Sequence, residues 1–172
     1  MNEIFIIIGL ILLNGVFAMS EVALISARKS RLSADAKNGN KSAKTALKLA
    51  NEPDRFLSTV QIGITLIGIL TGIYSGNQIA VDLTEAMKSW GVSSAYAFGL
   101  AQGIIVVVVT YLTIIFGELV PKRIGMSMAE KAAKVMAQPM NVLSVIALPF
   151  VWLLAKSTEI IFNLLGVKEE DN

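Results

Sequence analysis

Three apolar stretches, Ile4 to Ala27, Phe56 to Tyr74 and Tyr96 to Phe116, constrain this 172-residue chain more than any other feature. At ~1.5 Å of rise per helical residue, each is able to cross a hydrocarbon layer of roughly 30 Å. In lipid, backbone amides must be satisfied within the segment, which leaves the helix as the spanning form for such runs. The sequence therefore predicts an all-α membrane protein with three transmembrane helices over about 4–27, 56–74 and 96–117. A 54% hydrophobic content with only 16% charged residues is more apolar than soluble domains of this length. Met1 to Ala27 lacks the basic start of a signal peptide and carries a longer apolar run, so it is read as a retained span.

Charge gives the orientation. Arg28, Lys29, Arg31, Lys37, Lys41, Lys44, Lys48 and Arg55 crowd the connection between the first two runs. By the positive-inside rule this connection is cytosolic and the N-terminus external, in a multi-pass protein of the cell inner (plasma) membrane. Within it, Ser42 to Ala50 sets Lys44 and Lys48 against Ala43, Leu47 and Leu49 at helical spacing. That pattern fits a belt helix on the headgroups, within juxtamembrane helices over about 31–50 that end at Asn51 to Asp54. Gly76 to Ser94 is polar, an external loop with some helix in it. Met140 to Ala155 is short for a span, contains Pro149, and is followed by Lys156 and Glu159. With the amphipathic Ser127 to Ala137 it is read as a re-entrant or interfacial helix pair over about 127–166, leaving the C-terminus cytosolic. The alternative, a fourth span, would carry Glu169 to Asp171 outside. One domain covers 1–172.

The chain has no cysteine and no histidine, so any metal must be held by oxygen. Counting from the basic ends, Ser20, Glu21, Thr59, Gln61, Gly63 and Thr65 fall in the inner half of the membrane, with Glu118 at the edge of that layer. A carboxylate facing lipid costs at least a few kcal/mol, so Glu21 should face a bundle interior or a wet cavity. Pro121 has no N–H, and its ring excludes the carbonyl four residues earlier, which frees the Gly117 carbonyl if the helix continues. A free carbonyl beside a carboxylate, with hydroxyls on other helices, supplies the hard oxygen ligands that Mg²⁺ or Na⁺ prefers. Structural roles compete with this reading. Glu21 is placed to pair with Lys122 or Arg123, and Ser20, Thr59 and Thr65 serve equally as helix–helix glue. Asn14 suits packing and function alike. Gly68, Gly72 and Gly76 form a small-residue series that lets helices approach. The Lys-rich connection reads as a lipid-facing surface, with no nucleic acid as partner. No nucleophile–base set or phosphate-cradling loop points to an enzyme.

Three ordered segments carry a resemblance: Phe17 to Leu32, Asn51 to Leu66 and Phe116 to Gly125. At these the chain resembles the transmembrane domain of the CNNM/CorC family, the hemolysin-like Mg²⁺/Co²⁺ transporters. The resemblance implies a homodimer in membrane lipid, a cytosolic belt of helices and an acidic inward-facing cavity that binds Mg²⁺. It implies Na⁺-coupled Mg²⁺ export, and cytosolic CBS domains in the full-length protein that are absent from this chain. Carried over by position, Gly117 and Glu118 match the Gly-Glu-x-x-Pro-Lys motif, and Ser20 with Glu21 matches the first-span motif. The chain departs where family members have a serine, here Ala18, and asparagines, here near Ile64 and Thr65. The candidate metal set is Ser20, Glu21, Thr59, Gln61, Gly63, Thr65, Gly117 and Glu118. The competing expectations are a polyamine (cadaverine or putrescine) exporter and a non-transporting anchor for a cytosolic sensor.

Overall fold

The computed structural model describes residues 2–76 and 78–166, with the side chains of all but Gln78 and Ser94. Met1 and residues 167–172, including the acidic stretch Glu169 to Asp171, lie outside the described residues. No strand occurs among the described residues. The first apolar run forms α1, Asn2–Ser26. The basic connection holds α2, Lys29–Lys37, and α3, Lys41–Asn51. The second run is α4, Pro53–Gly76, in which Pro53 opens the helix, a position where its missing N–H costs nothing. The polar connection contains α5, Gln78–Ser89, and the third run is α6, Ser94–Ile114. A π-helical turn, Ile115–Leu119, carries α6 into α7, Val120–Ser127, and α8, Ala129–Leu164, completes the fold.

Among the described residues four stretches are long and apolar enough to cross a membrane: α1, the stretch that begins at Pro53, the one that ends at Ser127, and α8. The juxtamembrane stretch 31–50 holds two helices, α2 and α3, because the chain turns at Asn38-Gly39-Asn40. Gly39 adopts φ +94, a left-handed conformation that glycine takes without a Cβ penalty. Asn40 then caps α3, its Oδ1 accepting from the Ala43 N–H at 3.0 Å. The interfacial pair expected over 127–166 is one uninterrupted 36-residue helix with Pro139 and Pro149 inside it.

The packed core lies at the basic end. Phe17 and Leu24 of α1, Leu32 of α2, Ala46 of α3, Phe56 and Val60 of α4, and Ala133 of α8 are buried in a single cluster. The buried face of α3, Ala43, Ala46 and Leu49, follows helical spacing. α3 lies on α8, with a Gln138 Nε2 to Thr45 Oγ1 hydrogen bond at 3.1 Å. α2 is tied to α8 by Lys134–Asp35 at 3.0 Å and Arg31–Glu130 at 3.9 Å. α6, by contrast, exposes Val106, Val107 and Tyr111, side chains suited to lipid tails.

Candidate cation site

The site is built where α1 lies against the π-turn and α7. Gly15 and Gly125 permit this closeness. A Cβ on Gly15 would stand 2.7 Å from the Phe116 carbonyl oxygen and 2.9 Å from Pro121 Cγ, and one on Gly125 would stand 2.8 Å from the Met19 carbonyl oxygen. The register is parallel, Gly15 meeting Phe116 and Pro121 while Met19 and Ala23 meet Gly125. α4 runs the opposite way on the other side of α1, with the Phe17 ring seated on Gly63, where a Cβ would come within 2.8 Å of it.

Pro121 lies inside the continued helix, as the freed-carbonyl argument requires. The ladder responds by widening: the Val120 N–H reaches the Ile115 carbonyl, five residues back. The Gly117 carbonyl accepts instead from Asn14 Nδ2 at 2.9 Å, and both residues are buried. A Cβ on Gly117 would meet Asn14 Nδ2 at 3.0 Å, so a glycine here opens the approach. Asn14 is thus the residue that sequence reasoning left between packing and function. Its partner lies 103 positions away, and no local pattern couples the two. One lone pair of the carbonyl remains available beside Glu118.

Glu21 and Glu118 are both half-buried. Among the described residues neither forms an ion pair, and Lys122 and Arg123 are exposed. The structural pairing of Glu21 with Lys122 or Arg123 is therefore not made. Ser20 and Thr59 are buried, but each hydroxyl donates to its own helix, Ser20 Oγ to Val16 at 2.7 Å and Thr59 Oγ1 to Arg55 at 2.9 Å. Each oxygen keeps acceptor capacity, with Ser20 fully buried and Thr59 nearly so. Gln61 and Thr65 are exposed and bonded to one another at 3.3 Å, on a different face of α4 from the buried Phe56, Thr59, Val60 and Ile67. Ala18, the departure from the first-span motif, is buried. Among the described residues no three or more Asp, Glu, His or Cys side chains gather to hold a metal. A cation held here would take few carboxylates and keep part of its water.

A second feature occupies the half of the bundle away from the basic end. A cleft of ≈ 310 Å³ between α1, α4 and α6 is lined by Asn14, Thr71, Ser75, Thr110 and Thr113 among apolar side chains. Gly68 and Gly72 also line it, and a Cβ on either would meet nothing within 4 Å. The series expected to bring helices together therefore leaves space instead.

The model of the Cyclin M transmembrane N-terminal domain matches residues 5–172. The chain is 46% identical over 169 residues to the UPF0053 protein sll0260 of Synechocystis, covering 98% of this chain and 38% of that protein. It is 34% identical over 167 residues to the polyamine export protein of Salmonella typhimurium, covering 97% and 37%. It is 30% identical over 158 residues to the UPF0053 inner membrane protein YfjD of Escherichia coli, covering 92% and 34%. The chain thus spans little more than a third of the length of these relatives. With the family model matched along almost its whole length, the chain belongs to the Cyclin M (CNNM) transmembrane domain family.

Proposed function

We propose that this domain carries a cation across the inner membrane, with Mg²⁺ as the first substrate and Na⁺ as the coupling ion. The observation that carries the reading is Glu118, an unpaired, half-buried carboxylate beside the Gly117 carbonyl that Pro121 frees. A carboxylate in an apolar layer demands positive compensation, and here no side chain among the described residues supplies it. A partly hydrated Mg²⁺, which takes one or two carboxylates and keeps several waters, meets that demand. Glu21 would add the second charge, with Ser20, Thr59 and Gly117 as neutral oxygens. Gln61 and Thr65, on the outer face of α4, would join only across the seam of a homodimer. On the positive-inside rule the basic end is cytosolic, with three spans and α8 on the interface. The test is a thermal melt of the protein in lipid against Mg²⁺ concentration. Mg²⁺ is expected to raise the melting temperature of the native chain, and Glu118→Gln to diminish the rise. An undiminished rise in E118Q refutes the assignment.

Polyamine export is the second reading. It is favoured by the 34% identity with the Salmonella typhimurium polyamine export protein. In vesicles, uptake of a labelled diamine that Mg²⁺ does not compete with would select it.

A further inference from the structure

We propose that the cleft between α1, α4 and α6 is a second cation station, on the far side of Asn14 from Glu118, that holds its guest by neutral oxygens. This rests on the transport reading above and extends it to the half of the bundle away from the basic end. Asn14 is only 5% exposed and lines the cleft. Its Nδ2 is committed to Gly117, whereas Oδ1 has no hydrogen-bond partner among the described residues. That amide oxygen is not sealed away from the cleft and is an open acceptor for a guest that brings a donor. Thr110 and Thr113 add hydroxyls that make no hydrogen bond among the described residues. Thr71 and Ser75 donate to their own helix at 2.7 and 3.3 Å and keep their lone pairs for a guest. The acceptors thus come from α1, α4 and α6 together.

The chemistry of the lining defines the guest. Among the described residues no carboxylate or basic side chain lines the cleft. It therefore lacks the charge to strip Mg²⁺ of its water, which that ion releases reluctantly. Its oxygens instead suit a cation that presents hydrogen-bond donors: a metal ion within its water shell, or an alkylammonium group. The volume of ≈ 310 Å³ is many times that needed by one water, room for an ion with its first shell. Ile67 and Val109 in the same walls would cover the methylenes of an alkylammonium. One amide separates this cleft from the Gly117 carbonyl, so Asn14 faces both stations.

The absence of cysteine makes the test clean. Thr110→Cys and, separately, Ser75→Cys are introduced into the chain in cells, and a membrane-impermeant cationic thiol reagent is added outside. Val107→Cys, on the lipid-facing side of α6 and 68% exposed, is the control. Both cleft cysteines are expected to react at least tenfold faster than V107C, and millimolar Mg²⁺ or putrescine to slow them several-fold. Protection by Mg²⁺ alone identifies the hydrated ion as guest, and protection by putrescine alone identifies the alkylammonium. Gly68→Val, which fills the cleft, should suppress the reaction. Rates equal to that of V107C would mean a lipid-filled groove and overturn the proposal, as would fast reaction that neither cation slows. The difference between the Mg²⁺-dependent melts of the native chain and E118Q reads the Glu118 station, and cysteine protection in the E118Q background reads the cleft, so failure of one reading is distinguishable from failure of the other.

Discussion

Asn14→Leu is the most direct test of how the π-turn is held. Leucine keeps the size of the side chain and removes the donor. The Gly117 carbonyl, buried and denied an N–H by Pro121, then loses its 2.9 Å partner. An unsatisfied buried acceptor costs ~1–3 kcal/mol, while interhelical hydrogen bonds in membrane proteins average ~0.6 and reach ~1.7 kcal/mol. The lower range reflects alternative partners in the membrane-unfolded state, and the close α1–π-turn contact excludes such partners in the folded one. Together these give about 1–2 kcal/mol. For a chain of this size, ~2–4 °C per kcal/mol converts that to a melting temperature lower by about 2–8 °C. If the turn instead relaxes to α-helical register, every residue beyond it rotates by ~100° about the axis. Gly125 would then leave Met19, and the loss would exceed this range. A fluorescence melt in lipid nanodiscs measures the effect. An N14L midpoint within 1 °C of the native chain would show that the amide does not hold the turn.

The other expectations are independent of that bond. Gly125→Ala should destabilise by ~1–3 kcal/mol, because its Cβ meets the Met19 backbone at 2.8 Å, whereas Gly68→Ala, with open space around it, should be near neutral. Paired melts of the two variants decide it, and equal losses would contradict the packing described. A double-mutant cycle on Asp35 and Lys134, a partly exposed pair at 3.0 Å, should give ~0.2–1 kcal/mol that shrinks in high salt. A coupling insensitive to salt would mean that the α2–α8 tie is not ionic.

The helices were legible in the sequence because lipid leaves the backbone few options. Apolar runs of sufficient length predict α1, α4 and α6 to within a few residues. Where the belt divides into α2 and α3 was not read, although Asn38-Gly39-Asn40 carries the turn chemistry for it. Proline misled in α8. Pro139 and Pro149 each free one carbonyl, yet the helix runs through both, because tertiary context overrides a single local penalty. At the site, the consequence of Pro121 for Gly117 followed from covalent chemistry alone, whereas the donor that meets it is a long-range contact. The bonds of Ser20 and Thr59 to their own helices depend on rotamers that spacing does not specify.

The uneven distribution of buried side chains has a mechanical consequence. Close packing ties α1, α2, α3, α4 and α8 together at the basic end, and α5 and α6 bury Ala80, Met87, Ala97 and Ala101 at the other, while the cleft beside Thr71 and Thr110 leaves a gap between them. Segments with fewer buried contacts separate at lower free-energy cost than those locked in a core. The bundle is therefore most compliant along the cleft, between two packed ends.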